Sequence, residues 1–296
     1  MRLIPPPKVL ITGANGIIGS QLLRLMIQSG FNVVGTYRRT LSPNLKKLAE
    51  DNACRLISCD LSKDAPLPEN IDIIIHTATQ IKENDHATFE YINNNTLMVQ
   101  NLVDYAVRSD VKLFILFSSL SVYGEIRAPV VDENTEKRNV SLYGISKILS
   151  ERILFDASEI LPSISFRLPG VIGHGAKGVW LAKIIEKAKK NDTIEICHPD
   201  FLFNNSVHVS DLAKFIMTLV VNEINGADVL TLACASPLPI KDIVTNIIKY
   251  FRSTSSVVTK FPDKAPFSVS CEKAISVYRY EPSPLQKILN DFLKEN

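Results

Sequence analysis

VLITGANGIIGSQLL, Val9 to Leu23, sets a short apolar run against a turn holding Gly13, Gly16 and Gly19 and then opens into a helical pattern. Glycine tolerates positive φ and lets backbone N–H groups close on a phosphate, and the start of the helix adds the positive end of its dipole. A glycine triplet alone says little. One that follows the first strand of the chain and opens a helix reads as the pyrophosphate cradle of a dinucleotide-binding fold.

The pattern continues outward from this turn. Val9–Thr12, Asn32–Tyr37, Arg55–Ser58, Ile71–His76, Leu113–Ser118 and Ile164–Leu168 are short apolar runs, most without period-2 alternation, as expected of parallel strands covered on both faces. Between them lie helical patterns over Ile17–Gln28, Leu45–Asp51, Phe89–Arg108 and Leu142–Phe155, the first with a broad apolar face of Leu22, Leu23, Leu25, Met26 and Ile27 and with Gly30 close behind as a stop. This alternation predicts an α/β fold, a Rossmann-like doubly wound parallel sheet. After Leu168 the rhythm changes: a glycine-rich loop, PGVIGHGAKG, leads to helices over Trp180–Lys190 and Ile240–Phe251, a strand-like piece over Val229–Ala233 and a proline-marked amphipathic tail, EPSPLQKILNDFL. The expected organisation is a dinucleotide-binding domain over residues 1–168 plus about 206–226, and a smaller C-terminal α/β substrate lobe over 169–205 and 227–296.

Bulk composition excludes several function classes. The 296 residues are 46% hydrophobic and 22% charged with a formal net charge of +2, which offers no basic stripe for nucleic acid; Lys183, Lys187, Lys189 and Lys190 read as a solvated helix face. Five cysteines, Cys54, Cys59, Cys197, Cys234 and Cys271, contain no C-x-x-C pair and read as reduced thiols, with neither a disulfide framework nor a metal site. The opening MRLIPPPKVLITG shows no apolar stretch with a cleavage site, and runs such as LFILF and IDIII are far too short for a membrane span, so a cytoplasmic chain is expected.

Two stretches carry candidate chemistry. In SLYGISK, Ser141–Lys147, Tyr143 and Lys147 stand four apart and share one helix face. A tyrosine is a poor acid near neutrality, with a pKa of about 10, and an ammonium beside it favours the phenolate. The second stretch is FSSLSVYG, where the strand Leu113–Phe117 runs into Ser118, Ser119 and Ser121, at the carboxyl end where ligands of such folds gather. The second strand ends in Thr36, Tyr37, Arg38 and Arg39, without the carboxylate that usually holds the ribose hydroxyls of NAD. Guanidinium pairs well with phosphate, so Arg38 or Arg39 points to NADP, with NAD as the alternative.

TGANGIIG resembles the T-G-x-x-G-x-x-G of the short-chain dehydrogenase/reductase superfamily, in its extended branch of nucleotide-sugar epimerases, dehydratases and reductases. The resemblance covers nearly the whole chain. It assigns Gly13, Asn15, Gly16, Ile17, Ile18 and Gly19 to the cofactor cradle, and Asp60 with Leu61 in CDL to the adenine end. HTAT places Thr77, Ala78 and Thr79 beneath the nicotinamide ribose, and NNNT makes its first residue, Asn93, the support of the active site. RLPGVIGHG and SVHVSDLA match later landmarks, and Pro169 and Ser118 complete the cofactor set, Ser118 reading also as strand-end packing. By the same resemblance Ser119 bonds the substrate oxygen, Tyr143 exchanges a proton with it, and Lys147 holds the ribose. Leu120 and Ser121 stand where family dehydratases carry Asp–Glu, which argues against dehydration.

The resemblance implies a nucleotide-diphosphate sugar as substrate, with Gln80, Ser119, Ser121, Tyr143, His174, Trp180 and Asn204 as contacts, joined by Thr79, Lys177 and Asn205. An arginine expected in the late segment is missing, and Lys264 is its nearest stand-in. The first reading is an NADP-dependent ketoreductase of a nucleotide-linked deoxysugar. A 4-epimerase with tightly bound NAD is the alternative, and a non-catalytic dinucleotide sensor is the reading from outside enzymology. A homodimer through the helices at 89–108 and 142–155 is expected by the same analogy.

Overall fold

The computed structural model describes residues 6–51, 53–63, 65–80, 88–262 and 264–296. Along the chain run β1 (Lys8–Thr12), α1 (Ile17–Gln28), β2 (Asn32–Tyr37), α2 (Pro43–Glu50), β3 (Arg55–Ser58), β4 (Ile73–His76), α3 (Thr88–Arg108) and β5 (Leu113–Ser119). A 3-10 turn (Leu120–Tyr123) then leads to β6 (Val130–Val131), α4 (Leu142–Asp156), β7 (Ser163–Leu168) and β8 (Gly170–Ile172). Next come α5 (Trp180–Lys190), β9 (Ile194–Cys197), β10 (Leu202–Phe203), β11 (Ser206–His208), α6 (Val209–Val220) and β12 (Ala227–Thr231). The chain closes with β13 (Leu238–Pro239), α7 (Ile240–Phe251), β14 (Val257–Lys260), β15 (Ser268–Val269), α8 (Glu272–Tyr278) and α9 (Leu285–Glu295).

Two compact units emerge, one of residues Met1–Glu125, Lys137–Arg167 and Ile216–Leu230, the other of Ile126–Glu136, Leu168–Phe215 and Thr231–Asn296. The first is built on a seven-stranded sheet in the order β12–β7–β5–β4–β1–β2–β3, with β1 parallel to both β2 and β4. This is the doubly wound parallel sheet expected from the sequence. Its central strands are buried: Val9, Leu10, Ile11, Ile74, Ile75, Phe114, Ile115 and Leu116 have no measurable exposure. Helices cover both faces, and one core gathers Leu10, Val34, Ile74, Phe114 and Leu116 with Val99, Leu102 and Val103 of α3 and Leu154 of α4. From β1 the chain moves one way to β2 and β3, then crosses to β4 and on to β5 and β7. The crevice beyond the ends of β1 and β4 is therefore the switch point where such sheets take their ligands.

The second unit is a helical layer with short strand pairs. Leu181, Ile184, Ile185 and Ala188 of α5 pack with Ile243, Val244 and Ile247 of α7 and with Leu285, Ile288, Leu289 and Phe292 of α9. The i, i+3, i+4, i+7 spacing of the α9 residues is what makes that tail a docked helix, each buried side chain contributing about 1.5–3 kcal/mol. The unit's limits differ from the sequence expectation: residues 227–230, in β12 of the large sheet, fall outside it, Leu168 falls inside it, and two longer segments join it. Residues 126–136 belong to it because β6 pairs with β15, and residues 206–215 belong to it because β11 pairs with β8. Among the described residues no helix is long and apolar enough to cross a membrane.

Candidate active site

The glycine turn after β1 is a bare backbone cradle. Gly13 has φ +69°, and a Cβ there would stand 2.8 Å from the backbone of Ala78; one on Gly19 would stand 2.3 Å from the Gly13 carbonyl oxygen. Side chains are thus excluded where α1 begins, and its N-cap, Gly16, supplies no side-chain acceptor for the first N–H groups. These N–H groups, with Ile17 and Ile18 in the first turn, fit a pyrophosphate. Asn15 does something else: its Nδ2 donates to the Thr40 carbonyl at 3.0 Å and its Oδ1 accepts from Ser42 N–H at 2.8 Å. It ties the cradle to the segment that follows Arg38 and Arg39.

The other side of the switch point is held by hydrogen bonds from β4 to β1. Thr12 Oγ1 and His76 Nδ1 lie 2.8 Å apart, Thr77 Oγ1 donates to the Thr12 carbonyl at 2.7 Å, and Ala78 N–H reaches Thr12 Oγ1 at 3.3 Å. Burial, and then the charge of Lys147, push the His76 pKa down to about 3, so its ring is neutral at physiological pH. Next in the chain, Gln80 N–H donates to Asn95 Oδ1 at 2.7 Å and the Gln80 carbonyl accepts from Asn95 Nδ2 at 3.0 Å. Thr79 Oγ1 is 3.5 Å from the same Asn95 oxygen. The asparagine that holds the Gln80 backbone is Asn95, because the phase of α3 leaves Asn93 exposed and buries Asn95 to 4% exposure.

At the outer strands, Arg38 Nη2 lies 3.4 Å from Asp60 Oδ2, with the arginine half exposed. Asp60 Oδ1 accepts from the Ser62 hydroxyl at 2.7 Å and its N–H at 3.1 Å. The Ser62 hydroxyl, and to a smaller degree Arg38, keep the Asp60 carboxyl below the usual range. The side chains of Tyr37 and Arg39 sit at this same edge, and Leu61 beside Asp60 is buried.

The candidate acid–base pair lies on α4. Ser141 caps that helix by accepting the Gly144 N–H at 3.2 Å, which starts the helix so that Tyr143 and Lys147 face the sheet together. The Lys147 ammonium is 5.7 Å from the Tyr143 ring centroid and donates to the Phe117 carbonyl at 2.9 Å. Burial pulls the Lys147 pKa down to about 8, against the opposing pull of the Glu151 carboxylate. Ser119 ends β5; its Oγ accepts the Ser121 N–H at 3.1 Å and lies 3.1 Å from Ser121 Oγ. Gly144 decides how near α4 comes to this turn: a Cβ there would sit 2.1 Å from the Ser121 carbonyl oxygen. The Ser118 hydroxyl donates to Glu151 Oε1 at 2.6 Å, which fits the packing reading of its side chain.

The candidates of the second unit have mixed standing. Asn204 spends both side-chain amide atoms on Val269, at 2.7 Å to its carbonyl and 2.9 Å from its N–H, and is 9% exposed. Asn205 Nδ2 donates to the Phe267 carbonyl at 3.0 Å. Trp180 heads α5 with its ring 4.8 Å from that of Phe203, and His174 Nδ1 lies 3.3 Å from the Glu295 carbonyl. Pro169, Lys177 and Lys264 lie on loops of this unit, outside its helices.

Sequence reasoning passed over His76, Gly144, Glu151 and Arg167. Glu151 carried a signal, since it stands four residues beyond Lys147 and eight beyond Tyr143 on the same face. Arg167 is the single charge in the buried strand Ser163–Leu168.

A doubly wound sheet with this glycine turn and a helix bearing Tyr143 and Lys147 defines a short-chain dehydrogenase/reductase-type enzyme. Comparison with known proteins agrees. The model of the NAD dependent epimerase/dehydratase family matches residues 9–231. The UDP-glucose 4-epimerase of Azospirillum brasilense is 24% identical over 288 residues, covering 88% of this chain and 81% of that one. The structure of MoeE5 in complex with UDP-glucose and NAD superposes with a TM-score of 0.78 at 25% identity, covering 97% of this chain and 98% of that one. The match to a fatty acid hydroxylase, uhd1 of Mycosarcoma maydis, is 28% identical over 168 residues, 52% of this chain, and spans about half (55%) of that relative's length. The chain belongs to the NAD-dependent epimerase/dehydratase family, in the extended branch of the superfamily.

Proposed function

We propose that the protein is an NADPH-dependent ketoreductase acting on the keto group of a nucleotide-linked deoxysugar. The observation that carries this reading is the Lys147 ammonium, buried on the helix face that bears Tyr143 and 5.7 Å from its ring, beside the strand end of Ser119. Ser119 and Tyr143 bond the ketone oxygen, and Tyr143 gives it a proton. Lys147 makes the phenol a stronger acid and holds the ribose. The bound nicotinamide supplies hydride to the adjacent carbon. Asn95 and Gln80 brace the loop under this site. Arg38 and Arg39 at the end of β2 receive the 2′-phosphate of NADP.

A nucleotide-sugar substrate is supported by the relatives, a UDP-glucose 4-epimerase and a protein crystallised with UDP-glucose. The same two names, one of them a complex with NAD, favour a second reading, a 4-epimerase that keeps NAD bound. Leu120 and Ser121 after Ser119 argue against a dehydratase. A homodimer through α3 and α4 is supported by Leu97, Leu142, Ile145 and Leu149, all more than a third exposed. Sedimentation of a pure monomer at micromolar concentration would refute it.

The functional test has two arms. Denaturing the purified protein and identifying the released nucleotide separates the readings: an empty or NADP-exchangeable site is expected, and stoichiometric NAD points to the epimerase. NADPH oxidation with a panel of 4-keto nucleotide sugars is expected to give turnover. No turnover with any of them, and no epimerisation of the corresponding sugars, refutes both readings.

A further inference from the structure

Inside the first unit an ion pair lies where a sheet protein would ordinarily place apolar packing. Glu151 and Arg167 are each 4% exposed. Arg167 Nη2 donates to Glu151 Oε2 at 2.8 Å and Nε donates to Oε1 at 3.0 Å. The Ser118 hydroxyl donates to the same Oε1 at 2.6 Å. On the far side Arg167 Nη1 donates to the Tyr123 hydroxyl at 3.0 Å, with the guanidinium 5.2 Å from that ring. Desolvating two charges costs several kcal/mol each, and apolar residues of the same size stabilise a fold at least as well. Stability alone is therefore a poor reason for this pair to be here.

Its neighbours supply a better one. Ser118 adjoins Ser119. Tyr123 closes the turn that carries Ser121. Glu151 lies one helical turn beyond Lys147 and two beyond Tyr143. The strand end and the helix that bring together the three candidate catalytic side chains thus meet on a single carboxylate, itself clamped from β7 by Arg167. We propose that Glu151 is the positioning residue of this site: fixed by Arg167 and Ser118, it locks α4 against the end of β5 and holds a carboxylate one helical turn from Lys147.

The charges around Lys147 support this. His76 of β4 is neutral, held so by burial and by the charge of Lys147, and so places no charge on the lysine. Tyr143 presents its ring, and β5 presents the Phe117 carbonyl. Arg167 of β7 lies behind Glu151. On α3 the charged side chains that are described, Asp104 and Arg108, are exposed. Glu151 supplies the negative charge that opposes the desolvation of Lys147.

The inference rests on reading Tyr143 and Lys147 as the acid–base pair, so its test needs neither substrate nor turnover. The full chain labelled with 15N-lysine is followed by NMR from about pH 6 to 11, with the Lys147 Nζ signal assigned by its loss in Lys147→Met. Glu151→Gln, which keeps the shape, is expected to lower the Lys147 midpoint by about one pH unit or more. That variant leaves a guanidinium without its counter-charge, so Glu151→Gln combined with Arg167→Met, which removes both charges, is measured beside it. The same direction of shift is expected, because Glu151 and not Arg167 is the charge that acts on Lys147. A residue of merely structural role would lower the unfolding midpoint and leave the lysine titration where it was. An unmoved Lys147 midpoint in either folded variant overturns the proposal. A shifted midpoint in a protein that retains activity as Tyr143→Phe would overturn the functional reading instead.

Discussion

Replacing Lys147 with methionine should inactivate the protein and stabilise it. Lys147 is 4% exposed and its ammonium donates to the Phe117 carbonyl at 2.9 Å. Burial lowers its pKa from 10.5 to about 8. When the folded value lies below the unfolded one, the unfolded chain holds the proton more tightly. The cost to folding is then present in full below about pH 8 and is relieved as pH rises from about 8 to 10.5. A difference of about 2.5 units at about 1.4 kcal/mol each makes that cost about 3–4 kcal/mol. Methionine fills similar space without charge, at the loss of one hydrogen bond to Phe117, about 1 kcal/mol. The variant should therefore gain about 2 kcal/mol at pH 7, and the gain should vanish near pH 10. Urea unfolding of both proteins at the two pH values measures it. A variant less stable than the parent at pH 7, or a difference that ignores pH, would refute the reasoning.

Two glycines separate binding from chemistry. Gly144→Ala brings a Cβ within 2.1 Å of the Ser121 carbonyl and must push α4 away by about 1 Å, so kcat should fall about 100-fold with cofactor affinity little changed. Gly19→Ala, whose Cβ would meet the Gly13 carbonyl at 2.3 Å, should do the reverse and weaken NADPH binding at least about tenfold in a fluorescence titration. Arg38→Ala should cost about tenfold in NADPH affinity and leave NADH affinity unchanged, and an equal loss for both cofactors would remove Arg38 from the 2′-phosphate site.

What could be read from the sequence was whatever is fixed by local spacing. The glycine turn declares itself because three positions without side chains stand between a strand and a helix. Tyr143 and Lys147 declare themselves because four residues make one helical turn. Asn95 did not, since three consecutive asparagines look alike until the phase of α3 is known. Gly144 sits in the quoted motif, yet its constraint comes from the Ser121 carbonyl, a contact no local pattern encodes. Glu151 and Arg167 find each other only when β7 is laid beside β5 in the sheet. The packing of Asn204 was hidden for the same reason: the backbone at Val269 that takes both its amide atoms is distant in sequence. The two-residue strands β6 and β15 are too short to show periodicity, and their pairing moved residues 126–136 out of the unit that the surrounding sequence suggested.

The central claim is that the Tyr143 hydroxyl moves a proton beside bound nicotinamide, and Tyr143→Phe tests it most directly. Removing one oxygen atom should cut turnover by about 10²–10⁴-fold while NADPH binds within about twofold of the parent affinity. A phenylalanine variant that turns over at the parent rate would contradict the account.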